Sequence, residues 1–312
     1  MFYKKLQAAL LVSSTFFGVL SLTHQVNADE KPLVFALQKQ KNPAEIQQSA
    51  DALAKALSLN LKREVRVLVP GDYSATVQAL ISKQADVGYL SSLPYLLARR
   101  DGDAKLLMVE ARPDKNGVLQ TSYNSVLAVR ADSPIQNWQD IAKSASTLRL
   151  VYTSQTSASG YVFPLGHFRR EGLVKPGEKA ENSFKQVTYA GGYSQALQQV
   201  LTGNADVVAV SDYTLDGANT KVYISDEDRA KLRIVTRIPG VPTHLIATRG
   251  GMSEAEREQI AKALETVSND NPSLLKDVYG AAKLIRSDEQ KHVGATIQAV
   301  ELSGLPIHGL AK

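Results

Sequence analysis

Hydroxyl side chains crowd one short stretch of this chain, residues 153–164, which reads Thr-Ser-Gln-Thr-Ser-Ala-Ser-Gly-Tyr-Val-Phe-Pro. Thr153, Ser154, Thr156, Ser157 and Ser159 stand between an apolar β-type run, Leu148 to Tyr152, and a segment from Tyr161 to Glu171 that can continue as a helix. A helix start leaves its first four N–H groups without backbone partners, and the aligned peptide dipoles make that end partly positive. An anion placed there collects backbone N–H and serine hydroxyl bonds together. A tetrahedral oxyanion suits such a cradle better than a planar carboxylate, because its acceptors point in several directions. The plainer alternative is that one serine caps the helix and the others are solvated turn residues.

Other chemistry is hard to find. The chain contains no H-E-x-x-H, G-x-S-x-G, Walker loop or dinucleotide fingerprint. His167, His244, His292 and His308 are not spaced for a metal site, and Ser157 has no base in a recognisable partner motif. No catalytic residue, metal or cofactor is therefore expected, and binding is the chemistry that remains.

The elements that must position this turn alternate. Leu33–Leu37 reads as a buried strand, and Asn42-Pro43-Ala44-Glu45 supplies a helix start with Asn as cap, Pro at the first position and Glu at the third. Ile46, Ala50, Leu53, Ala54 and Leu57 share one face of that helix. A second strand, Val65 to Val69, ends at Pro70-Gly71, and Asp72 caps a helix from Tyr73 to Lys83 that leads to Asp86-Val-Gly-Tyr-Leu90. This βαβα order implies a parallel sheet flanked by helices. The unit recurs: Ala79 to Val87 matches Gln199 to Val207 in spacing, each running from a helix end through a turn into Ala-Asp-Val. Asp86 and Asp206 read as turn-capping residues rather than ligand contacts. Two similar α/β lobes explain the echo.

The strand Ser125 to Arg130 is expected to close the first lobe's first pass, with Asp132-Ser133-Pro134 as the crossing and Ile238-Pro-Gly-Val-Pro242 as the return. That gives a discontinuous first lobe, residues 29–131 and 238–312, and a second lobe, residues 132–237. The tail from Ser253 to about Leu302 is expected to be helical and to cover the first lobe. In open α/β sheets, ligands sit at the carboxyl ends of strands, in the crevice between halves. Tyr73, Leu90-Ser91-Ser92, the hydroxyl-rich turn and Gly191-Gly192 all follow strands and can face one cleft.

Residues 1–28 stand apart. Lys4 and Lys5 precede an apolar run from Leu6 to Leu22, and Val26-Asn27-Ala28 is an A-x-A-like cleavage site, the pattern of a secretory signal. The chain has no cysteine, so a lipid anchor on a new N-terminal cysteine is not expected; a soluble periplasmic protein, stable by packing without disulfides, is. Without Lys4 and Lys5, 34 basic residues face 31 acidic ones among the 36 and 31 of the whole chain. That mild, scattered excess does not suggest nucleic acid, and a monomer is expected.

The chain also resembles a known family, the periplasmic phosphate/phosphite/phosphonate-binding proteins of ABC importers. The resemblance rests on Pro70-Gly-Asp-Tyr73, Ala85-Asp-Val-Gly-Tyr89, Tyr123-Asn-Ser125 with Val129-Arg-Ala-Asp-Ser-Pro134, Thr156-Ser-Ala-Ser-Gly-Tyr161 through Pro164, Ala190-Gly-Gly-Tyr193, Ala205-Asp-Val207 and Ile238-Pro-Gly-Val-Pro242. It implies a two-lobed clamshell of type II with mixed, mostly parallel sheets, flanking helices and two hinge strands. It also implies lobe closure on a small oxyanion and delivery to a membrane permease.

The family's Ser-Thr-Ser anion cradle falls on Ser157, Ala158 and Ser159, so the middle hydroxyl is missing. Its ligand-contacting tyrosines fall on Tyr73 and Tyr123, residues that would otherwise read as core aromatics with a bonded tip. A family histidine falls on Tyr193. Aminoalkylphosphonate binders use two carboxylates for the ammonium; here those positions hold Tyr213 and Val241, leaving Asp212 as the candidate acid. The resemblance thus implies Tyr73, Tyr123, Thr156, Ser157, Ser159, Tyr193 and Asp212 as ligand-binding residues. Phosphite, methylphosphonate or phosphate is favoured over aminoethylphosphonate, whose buried ammonium would lack its partner. Asp212 would accept a proton from a partly protonated oxyanion and so disfavour sulfate. Three alternatives stay open: a periplasmic sensor subunit, a binder of another small anion, and an enzyme with a nucleophile–base pair or metal cluster converging on Ser157.

Overall fold

A computed structural model describes residues 31–39, 43–114, 116–218 and 220–305. The expected secretion signal, the Asn42 cap and His308 lie outside these residues. Two sheets form the framework. In chain order the elements are β1 (Leu33–Leu37), α1 (Pro43–Leu61), β2 (Val65–Leu68), α2 (Tyr73–Ile81), β3 (Val87–Leu90), α3 (Ser92–Gly102), β4 (Lys105–Pro113), β5 (Leu119–Gln120), β6 (Ser122–Arg130) and α4 (Trp138–Ser144). They continue with β7 (Arg149–Tyr152), α5 (Phe163–Arg170), β8 (Gln186–Tyr189), α6 (Tyr193–Leu201), β9 (Val207–Ser211), α7 (Asp226–Ala230), β10 (Leu232–Pro242) and β11 (Leu245–Thr248). The last are α8 (Glu254–Asp270), α9 (Pro272–Tyr279), β12 (Lys283–Ile285) and α10 (Glu289–Ser303).

The first sheet has the order β12-β4-β11-β3-β1-β2, with β5 paired to β4, and the second the order β10-β6-β9-β7-β8. Each contains a parallel trio, β2-β1-β3 and β8-β7-β9. Each trio is extended by antiparallel strands, β11 and β4 in one and β6 and β10 in the other. The sheets are therefore mixed, their parallel character confined to the trios.

The sequence echo marks this equivalence. Asp86 Oδ2 accepts from Val34 N at 3.0 Å and Asp206 Oδ2 from Arg149 N at 2.8 Å, so each carboxylate ties the start of the trio's third strand to its middle strand. Arg249 Nε and Arg149 Nη2 complete the two pairs at 2.8 and 2.7 Å. Side-chain alternation distributes the cores: Leu33, Phe35 and Leu37 join Ile46, Leu53, Leu57 and Leu264 on one face of the first sheet, while Ala36 joins Val77, Leu80 and Leu97 on the other.

The crossings lie elsewhere than the sequence suggests. β6, read as the last strand of the first lobe, sits in the second sheet between β10 and β9, with Val126 to Val129 fully buried. The Pro/Gly-rich return, residues 238–242, is the bulged end of β10, with a register shift between Ile238 and Val241 and Gly240 at φ +90°. β10 is an edge strand, where proline and a bulge are tolerated. The chain passes between sheets at Thr121 and Thr243 instead. These two residues are bonded to each other, Thr243 N to Thr121 O at 3.0 Å, and Thr243 Oγ1 also donates to Glu110 O at 2.5 Å.

The tail also departs from expectation. β12 interrupts it and pairs with β4. α10 packs on α5 and β10 of the second half as well as on α3 of the first. Its Thr296 Oγ1 donates to Ser92 Oγ at 2.7 Å, and His292 Nε2 reaches Thr243 O at 3.0 Å.

Candidate functional site

β7 ends at Tyr152, and the chain then makes a wide turn whose residues Ala158–Val162 are π-helical before α5 begins. Such turns are rare and recur at functional sites. The helix expected from Tyr161 therefore starts earlier, in a wider form. Ser157 caps it, its Oγ accepting from Gly160 N at 2.9 Å. Thr153 holds the turn closed: its N donates to Gly160 O at 3.1 Å and its Oγ1 to Ala209 O at 3.1 Å. A Cβ on Gly160 would run into Thr153 Oγ1 and Cβ, so the turn needs glycine there for space.

Ser159 is the hub. Its hydroxyl lies 2.8 Å from Tyr193 Oη and 2.9 Å from Ser211 Oγ, and Tyr123 Oη donates to it at 3.3 Å. Its carbonyl accepts from Ser125 Oγ at 2.6 Å. The hub is fully buried. Burial, then the neighbouring Tyr193, pushes Tyr123 well above the usual tyrosine range, so its hydroxyl stays protonated and available as a donor. Strand ends and a helix start supply the members: Tyr123 and Ser125 from the start of β6, Ser211 from the end of β9 and Tyr193 from the first turn of α6.

Of the residues singled out from sequence, the structure therefore unites Tyr123, Ser159 and Tyr193. Ser157 and Thr156 are adjacent, but their hydroxyls serve the turn itself: Ser157 as cap, and Thr156 Oγ1 at 3.2 Å from Ser154 Oγ. Tyr73 is fully buried at the start of α2, in the first half, and is not bonded to the hub. It and Tyr193 hold the same place in the two halves, each opening the helix that precedes the Ala-Asp-Val unit. Asp212 is bonded outside the hub. Asn124 Nδ2 donates to its Oδ2 at 2.6 Å and Arg237 stands 3.8 Å away. Burial outweighs these partners and raises its pKa above the usual aspartate value.

Sequence reasoning missed Ser125, Ser211 and Arg112. Ser211 was within reach, because it stands to Asp206 as Ser91 stands to Asp86. Arg112, on β4 of the first half, is buried with its Nε donating to Glu110 Oε1 at 2.7 Å; Tyr89 Oη donates to the other carboxylate oxygen at 2.8 Å. Its guanidinium lies 3.7 Å from the centre of the Tyr213 ring, in the second half. Tyr213 in turn packs edge-on against Tyr123, ring centres 4.9 Å apart. A cavity of about 400 Å³ opens beside this pair, lined by residues of both halves, among them Arg112, Tyr123, Asn124, Asp212, Tyr213 and Arg237.

The profile of one family, described as the periplasmic substrate-binding proteins of phosphonate ABC transporters, matches residues 35–292. The chain belongs to that family. Phosphonate-binding proteins also appear among its individual relatives. A phosphate-import protein of Mycolicibacterium smegmatis is 24% identical over 178 residues, 56% of this chain and 54% of the relative. The match thus spans about half the length of that relative. A phosphonates-binding periplasmic protein of Escherichia coli is 22% identical over 254 residues, 81% of this chain and 71% of the relative. Among solved structures, that of PhnD1 from Prochlorococcus marinus in complex with methylphosphonate shares the fold, with a TM-score of 0.74, 17% identity and coverage of 88% of this chain and 99% of that one. Like other members of the phosphonate-binding family, this protein has two α/β halves. No helix among its described residues is long and apolar enough to cross a membrane.

Proposed function

We propose that this protein is a periplasmic receptor that captures a small phosphorus oxyanion, phosphite, methylphosphonate or phosphate, and presents it to the permease of an ABC importer without transforming it. The observation that carries this reading is the Ser159 hub: tyrosine and serine hydroxyls converging on a π-helical turn from two strand ends and a helix start of one half. Hydroxyls are neutral donors that meet a tetrahedral oxyanion from several directions without demanding a fixed ionisation state. Tyr73, Tyr123, Thr156, Ser157, Ser159, Tyr193 and Asp212 are the proposed ligand-binding residues, with Asp212 as the acceptor for a proton on the ligand.

The proposed hinge is the bonded pair Thr121 and Thr243. It divides the described residues into a first lobe made of residues 31–120 with 244–285, and a second lobe of residues 122–242, with α10 packed on both. This shifts the boundaries read from sequence, 131 and 238, to the ends of β6 and β10. Closure brings Tyr73 toward the hub. Export through a signal in residues 1–28, a periplasmic location and a monomeric state complete the proposal.

Thermal unfolding and calorimetry of the purified protein with phosphite, methylphosphonate, phosphate and sulfate test it. A ligand at 100 times its Kd stabilises by about 2.7 kcal/mol. At least one phosphorus oxyanion should stabilise the protein, sulfate should not, and Ser159→Ala should weaken the shift. No response to any phosphorus oxyanion would refute the reading.

A further inference from the structure

Tyr213 is 4% exposed, and its hydroxyl is buried with no hydrogen-bond partner among the described residues. Leaving such a group unmatched costs about as much as losing a hydrogen bond outright. The residue lines the 400 Å³ cavity beside Tyr123, a volume within the ~300–1,000 Å³ range of small-molecule sites. Burial, then Tyr193 and Tyr123, pushes its pKa well up, so it stays protonated. Arg112 covers its ring from the opposite half, held charged by Glu110 although burial opposes this. This corner of the cavity thus brings together a residue with an unpartnered, buried hydroxyl and a guanidinium paired with Glu110.

The acids around the cavity have other commitments. Asp114 Oδ1 accepts from Asn116 N and Val118 N in its own turn. Asp216 pairs with Arg237, and Asp212 accepts from Asn124. An ammonium at the Tyr213 corner would meet the Arg112 guanidinium and find no acid without a partner of its own. An oxygen acceptor would meet a donor and a cation.

We infer that Tyr213 and Arg112 form a subsite for a second polar group where the ligand carries one, and that this group is an oxygen acceptor, best a carboxylate: among phosphonates with a second polar group, a phosphonocarboxylate is preferred to an aminophosphonate. The inference rests on the receptor reading and assigns the end of the ligand remote from phosphorus. Neither residue belongs to the Ser159 hub. Tyr213 acts on selectivity by contact, and Arg112 both by charge and by holding the Tyr213 ring across the two halves.

Titration calorimetry with phosphonoacetate, methylphosphonate and 2-aminoethylphosphonate tests the assignment. The wild-type protein should bind phosphonoacetate at least tenfold more tightly than 2-aminoethylphosphonate, a difference of about 1.4 kcal/mol. Tyr213→Phe keeps the ring under Arg112 and removes the hydroxyl; it should narrow that ratio to about threefold or less. Arg112→Met leaves Glu110 buried without its partner and threatens folding, so the charge is tested in the Arg112→Met/Glu110→Gln double variant, with the same narrowing expected. Equal or tighter binding of 2-aminoethylphosphonate by the wild type, or a ratio unchanged in Tyr213→Phe, overturns the inference while leaving the receptor reading intact. Failure of every phosphorus oxyanion to bind overturns both.

Discussion

Replacing Ser159 by alanine removes the atom on which three hydroxyls converge. Two of its contacts are good hydrogen bonds, 2.8 Å to Tyr193 and 2.9 Å to Ser211, and the third, 3.3 Å from Tyr123, is long. The site is fully buried, so water cannot simply replace the missing oxygen, and each abandoned hydroxyl bears a desolvation cost of about 1–3 kcal/mol. Counting the two short bonds, and allowing Tyr193 and Ser211 to recover part of the loss by shifting, the expected destabilisation is about 2–4 kcal/mol. Ser157→Ala is the internal comparison. That residue donates no such network, only a cap on Gly160 N at 2.9 Å, worth about 1 kcal/mol. Urea unfolding followed by the fluorescence of Trp138, the single tryptophan, which stacks on Phe168 in the same half, reads both variants. Ser159→Ala should be the more costly by at least 1 kcal/mol, a gap of the size expected when a network rather than a single bond is lost. A loss equal to or smaller than that of Ser157→Ala would refute the hub as a closed, energetically coupled cluster.

Gly160→Ala should destabilise by about 1–3 kcal/mol, as overpacking does, because the new methyl meets Thr153 where its hydroxyl is anchored to Ala209 O. Adding Thr153→Ala should recover part of that loss in a double-mutant cycle, and strict additivity would count against the clash. His167, His244 and His292 all have pKa values lowered, chiefly by burial. A depressed histidine contributes stability that is present above its unfolded pKa, about 6.5, and lost as pH falls below it, because the unfolded chain takes up the protons first. Stability should therefore decline between roughly pH 6.5 and 5, and His244→Asn/His292→Gln should decline less steeply; parallel pH profiles would exclude these two groups.

Much of this architecture is legible in the residues. The Ala-Asp-Val echo locates two equivalent trios because the aspartate has a fixed task, accepting the N–H of a neighbouring strand. The hydroxyl-rich turn is conspicuous, since five Ser and Thr residues at a strand end have few other uses. The crossings were misplaced for a definite reason. Pro239 and Gly240 carry the local signature of a break, and only the sheet reveals them as an edge strand with a bulge, where that signature is tolerated. β12, three residues long, pairs with a strand some 170 positions earlier and leaves no periodicity to read. Arg112 was invisible as a site residue for the same reason. Its role depends on Tyr213, contributed by the other half, and no local pattern links them.

The placement of β11 has a consequence for how the chain assembles. β11 lies between β3 and β4, so the middle of the first sheet is filled by residues 245–248, which are synthesised only after the whole second half. Residues 122–242, by contrast, complete the second sheet from one uninterrupted segment. Loop closure over such a long separation is slow relative to local pairing. The second half is therefore positioned to acquire structure first, while β3 and β4 wait with open edges. A chain with that history leaves one edge of each of two strands open until its last quarter arrives, the condition in which edge-to-edge association competes with folding.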